Sequence, residues 1–203
     1  MGIVQISGAT TYTFQPGTND MNDLDHNYYY SWKINWNIPS GEIITGATLT
    51  FKNIWDWQNE PRDTLYVHLL DNPPALKTRL ADNLWSGTDN EGGGDYWNGK
   101  GPLIGTWNDP KGGNNGKDKL PYLTFSVPQA DPLYADLGDL TNFIVNDGKF
   151  GFGLDPDCHY YNDGIKFTIT TETEPVPTPE PSTIFLLAGG LAGLAFLIKK
   201  FKK

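Results

Sequence analysis

Between residues 28 and 38 the chain alternates without a break. Tyr28, Tyr30, Trp32, Ile34, Trp36 and Ile38 fall on one face, and Tyr29, Ser31, Lys33, Asn35 and Asn37 on the other. A period of two belongs to an antiparallel strand with one buried face, and Pro39-Ser40-Gly41 ends it. Residues 43–54 repeat the pattern, with Ala47, Leu49 and Phe51 opposite Thr48, Thr50 and Lys52, so these two strands are expected to be neighbours in one sheet. Further strands are predicted at ATTYTF (9–14), TLYVHLLD (64–71), YLTFSV (122–127), KFGFGLD (149–155) and GIKFTITT (164–171). Leu133, Leu137, Leu140 and Ile144 recur at helical spacing after Asp131-Pro132, which predicts one amphipathic helix across a sheet end, capped at Asp131. Residues 88–119 are mostly Gly, Asn and Asp, with Trp97, Ile104 and Trp107 as isolated anchors; so long a stretch is a functional loop or a pair of short strands on an excursion. The expected architecture is all-β: an antiparallel β-sandwich, jelly-roll-like, with one short helix.

The pattern changes after residue 171. ETEPVPTPE, residues 172–180, is a Pro-rich extended spacer, followed by an uncharged apolar run from Ile184 to Ile198 and then by Lys199, Lys200, Lys202 and Lys203. A helix over Thr183–Ile198 is about 24 Å long at 1.5 Å per residue, against a hydrocarbon core of about 30 Å. Lysine stems that snorkel and a slightly thinned bilayer make up the difference at modest cost. The lysine cluster predicts a cytoplasmic C-terminus, with everything before Pro179 outside. The expected domains are therefore an extracellular sandwich at 1–171, linker and motif at 172–181, a single transmembrane helix at 182–198 and a basic tail at 199–203.

The order Pro179-Glu180-Pro181-Ser182-Thr183, apolar helix, basic cluster resembles the PEP-CTERM sorting signal of Gram-negative bacteria. The resemblance covers about the last 25 residues. It implies export, an inner-membrane-anchored precursor, recognition of Pro179, Glu180 and Pro181 by an exosortase, removal of the helix, and release to the cell surface or an exopolysaccharide matrix. Proteins of this kind also carry an N-terminal secretion signal. Met1-Gly2-Ile3-Val4-Gln5 has neither a basic nor an apolar region of that type, and the expectation is that the true start precedes this sequence.

Charge narrows the partners. Residues 1–178 hold 23 acidic and 11 basic residues, net −12, which excludes a phosphate backbone as ligand because nucleic-acid binding draws on basic patches. Divalent cations suit an acidic surface rich in Asp and Asn better, and calcium is the candidate cofactor. Cys158 is the single cysteine, so no intrachain disulfide staples the fold.

The loop Asp155-Pro156-Asp157-Cys158-His159-Tyr160-Tyr161-Asn162-Asp163-Gly164 is the most heavily functionalised. Asp155, Asp157, Asn162 and Asp163 supply the oxygen ligands that Ca²⁺ prefers, although their spacing is not an EF-hand's and turns use the same residues. Cys158 and His159 are adjacent, so extended backbone turns them to opposite faces and denies them a shared proton. A zinc site from Cys158, His159 and a carboxylate has no supporting spacing. Asp20, Asn22, Asp23, Asp25 and His26 form a second acidic loop that can meet the first if strand ends coincide. Asp89, Glu91 and Asp95 add carboxylates of the kind a glycosidase pairs. Trp55, Trp57 and Trp97 lie in or beside loops, where indole faces either stack on sugars or plug the core ends. The expected function is a non-enzymatic surface or matrix protein, with a polysaccharide-binding module and a carbohydrate-active enzyme as alternatives.

Overall fold

The computed structural model describes residues 8–57, 63–74, 80–81, 94–109, 117–128 and 134–175. The sorting motif, the expected transmembrane helix and the basic tail lie outside these residues, as do Asp89, Glu91 and the expected Asp131 cap. Among the described residues no helix is long and apolar enough to cross a membrane. The chain divides into two units, Met1–Thr173 and Glu174–Lys203, and the first is the folded β unit.

Its elements are β1 (Thr10–Phe14), β2 (Tyr28–Asn35), β3 (Glu42–Asp56), β4 (Leu65–Asp71), β5 (Leu80–Ala81), β6 (Leu103–Trp107), β7 (Leu120–Val127), α1 (Leu137–Asp147), β8 (Lys149–Pro156), β9 (Tyr160–Tyr161) and β10 (Ile165–Thr173). They form two antiparallel sheets. One has the order β1-β10-β3-β7, with β9 added to the end of β3; the other has the order β5-β2-β8-β4-β6. Leu49, Phe51, Phe167 and Ile169 from the first sheet and Trp32, Ile34, Phe150 and Phe152 from the second share one core. Phe152 and Phe167 meet edge to face across it, 4.7 Å between centroids, the geometry that aromatic quadrupoles favour.

The expected pairing of the 28–38 and 43–54 strands is corrected. β2 pairs with β8 and β5, β3 with β10 and β7, and the two strands lie in opposite sheets. Residues 36–41 contain no two-residue hairpin turn of the Asn-Gly type. The connection is long enough to carry the chain from one sheet to the other, so that the two apolar faces look at each other instead of lying side by side.

The outer faces of the sheets differ. On the first sheet Thr13, Thr168, Thr48 and Ser126 stand opposite one another across all four strands, exposed or half-exposed. Its edge strand β7 includes Pro121, a residue that sheets accept at their edges. On the second sheet β8 is buried on both sides from Phe150 onward. Gly153 lies under the indole of Trp97, where an added Cβ would come within 2.5 Å of the ring, and a Cβ at Gly151 would collide with the Trp32 carbonyl oxygen. The glycines of KFGFGLD are therefore contact surfaces for a covering layer.

Helix α1 starts later than expected. Asp136 is its N-cap, in a reciprocal capping box with Asp139, and Gly148 closes it at φ 71°. Leu140 and Ile144 are its buried residues, as the spacing predicted.

Candidate functional site

The chemistry-bearing residues gather where β3 ends. Asn53 adopts φ 47°, while the register with β7 runs on unshifted from Lys52–Tyr122 to Ile54–Leu120, so the left-handed backbone turns the strand locally without inserting an extra residue. Before it the odd residues Leu49 and Phe51 point inward; after it Ile54 and Asp56 do, and Trp55 turns out. The short strand β9 pairs Trp55 with Tyr161 and Asp56 with Tyr160. Side chains alternate along both partners, so two residues of pairing build two layers.

The outer layer is aromatic. Trp55 stacks on Tyr161 at 4.4 Å and 19°, and His159 stacks on Tyr161 at 4.5 Å and 28°. Lys119 holds its ammonium 5.9 Å from the Trp55 ring, inside cation–π range. Trp57, whose N–H donates to the His159 carbonyl, is 47% exposed. Trp97, the third tryptophan expected on a glycan surface, is instead buried at 6% exposure. Its indole packs edge-on against Tyr29 and Tyr96, and its Nε1–H points at the Leu154 carbonyl.

The inner layer is acidic. Asp56 and Asp63 are buried with Cys158, and the three ligand atoms lie within 4.8 Å of one another. The Cys158 thiol donates to Asp56 Oδ1 at 2.9 Å, and Asp109 accepts the Asp56 N–H at 3.1 Å. Burial first, then the hydrogen bond and charge of Asp56, push the thiol far above its ordinary pKa, so in this state it is a protonated donor rather than a nucleophile. Tyr160 is fully buried here against Trp107. Backbone bonds hold the cluster together: Asp157 N–H to Thr64 O, and Tyr160 and Leu24 to each other in both directions.

The four expected calcium ligands take different posts. Asp155, fully buried, receives the Tyr96 N–H at 2.6 Å. Asp157 is buried in the connection to β9. Asn162 is bonded at both ends of its amide, to Asp20 O and the Gly164 N–H, and its own N–H reaches Asp23. Asp163 is exposed and accepts from Asn53 Nδ2 at 2.6 Å. The acidic loop at 20–26 does meet the 155–164 loop, through Asn162 and through the Leu24–Tyr160 bridge. His68 lies with Asp95, Nε2 to Oδ2 2.8 Å and Nδ1 to Gly101 O 2.9 Å.

Comparison with known proteins bears on the other end of the chain. No curated protein matches it. The family model of the PEP-CTERM protein-sorting motif matches residues 177–200, which span Pro179-Glu180-Pro181, the apolar run and the first two lysines. The chain therefore carries a PEP-CTERM protein-sorting signal, a motif that implies export through a C-terminally membrane-anchored precursor and processing by an exosortase.

Proposed function

We propose that the mature protein is a non-enzymatic component of the cell surface or extracellular matrix of a Gram-negative bacterium, cut from its anchor after Pro179-Glu180-Pro181 has been recognised. One observation carries this reading: a sorting signal at 177–200 follows a separate folded unit that ends at Thr173. The cargo and its address are distinct pieces of chain. The strand order β1-β10-β3-β7 facing β2-β8-β4-β6 supports reading that cargo as a jelly roll, an architecture that capsid and lectin domains use. Deleting residues 179–203 is expected to move the protein out of the membrane fraction of an exosortase-bearing host; unchanged fractionation removes the proposal.

A second reading, polysaccharide binding, is favoured by the aromatic layer. The Trp55–Tyr161–His159 stack with the exposed indole of Trp57 beside it offers flat apolar surface of the kind that packs on sugar rings. Trp57→Ala is expected to weaken retention on purified exopolysaccharide at least about tenfold, the worth of about 1.4 kcal/mol, without changing the melting temperature. Equal retention of variant and wild type argues for a structural matrix role alone.

A further inference from the structure

The inner layer invites a ligand of its own. Cys158, Asp56 and Asp63 come from three strand ends: the β8–β9 connection, the last residue of β3, and the approach to β4. Their ligand atoms converge within 4.8 Å, and all three side chains are buried. A second observation points into the same space. The Tyr160 hydroxyl is fully buried and has no hydrogen-bond partner among the described residues. Tyr160 is the cross-strand partner of Asp56, and directly paired residues project to the same face of a sheet, so the phenol lies on the side of this cluster. Buried hydroxyls in folded proteins are almost always satisfied, and one that is not calls for a missing partner.

We propose that Asp56, Asp63 and Cys158 form a binding site for one divalent metal ion of the zinc class, with the Tyr160 hydroxyl bonded to a water in the remaining position. Donor chemistry selects the class. Calcium and magnesium take oxygen ligands, whereas a thiolate with two carboxylates suits zinc, which accepts sulfur and oxygen donors in tetrahedral sites. Binding is a proton exchange without redox change: the Cys158 S–H bond breaks, a sulfur–metal bond forms, and the proton leaves to solvent. Asp56, now the acceptor of that S–H, becomes a ligand. The ion ties β3 of one sheet to β4 and β8 of the other, directly behind Trp55, Trp57 and Tyr161. This site stands whether or not the aromatic layer binds glycan.

The test uses the full-length chain in detergent, stripped with chelator and titrated with Co²⁺ as a spectroscopic stand-in for zinc. The expected result is saturation at one equivalent, with tetrahedral ligand-field bands and a thiolate-to-cobalt charge-transfer band that Zn²⁺ abolishes. Zn²⁺ raises the melting temperature by several degrees, and equal Ca²⁺ or Mg²⁺ does not. Cys158→Ser loses the charge-transfer band, and Asp63→Asn weakens binding by more than about tenfold, as even outer partners of metal sites do. A wild-type protein that shows no charge-transfer band, or that is stabilised by Ca²⁺ rather than Zn²⁺, overturns the site. The wild-type spectrum decides the matter even if a variant fails to fold.

Discussion

The two sheets use their outward faces in opposite ways. On the first, Thr13, Thr168, Thr48 and Ser126 line up toward solvent. On the second, β8 is sealed under Trp97 and Pro73, with glycines where an ordinary side chain would collide. The difference teaches that one sheet is a surface and the other an interior wall.

Three substitutions test this contrast, in descending order of effect. His68→Leu removes the partner of Asp95 and of Gly101 O and with it the tie between β4 and the segment that covers the second sheet. Leaving two largely buried acceptors without their partner costs about 1–3 kcal/mol apiece, to be read as a large drop in the urea midpoint; a loss below about 1 kcal/mol means the covering layer is not anchored there. Next, the same change is made on each sheet. Gly153→Ala forces a methyl to within 2.5 Å of the Trp97 ring and is expected to cost about 1–3 kcal/mol. Gly46→Ala on β3, where a Cβ has nothing within 4 Å, is expected to stabilise by about 0.4–1 kcal/mol through the unfolded chain. Effects of the same sign erase the distinction between the sheets.

The smallest effect is one of pH. The Lys149 ammonium and N–H bonded to Asp147 hold its carboxyl below the ordinary carboxylate pKa. A depressed folded value contributes stability above the ordinary pKa that is lost as pH falls through the lowered one. NMR titration of Asp147 in the folded chain is expected to show a midpoint below that of an unstructured peptide, and Asp147→Asn removes this part of the acid sensitivity.

Much of this architecture could be read directly, because a half-buried strand writes its period into the sequence. Tyr30, Trp32 and Ile34 announced β2, and Phe150, Phe152 and Leu154 announced β8, with ends within a few residues. Sheet membership was not legible: alternation tells which side of a strand is apolar but not which strand lies beside it, and β2 and β3 were assigned to one sheet for that reason. The site was hidden by a single residue. Continuing the phase of Leu49 and Phe51 past Asn53 puts Trp55 inside and Asp56 outside, the reverse of the structure, because the left-handed backbone at Asn53 reverses which side of the strand faces in. A lone Asn between Lys52 and Ile54 is the only local sign of it. Asp63 and Tyr160 reach the site from distant parts of the chain, and no spacing rule links them to Asp56. The sorting signal, by contrast, is contiguous, and order along the chain was enough to find it.

Pro121 in the rim strand β7 has a consequence for how copies of this protein meet one another. A proline offers no N–H for an incoming strand, so copies packed side by side are hindered from zipping onto one another at that margin. Molecules can then accumulate densely while each keeps its own fold, without seeding fibrils from that border.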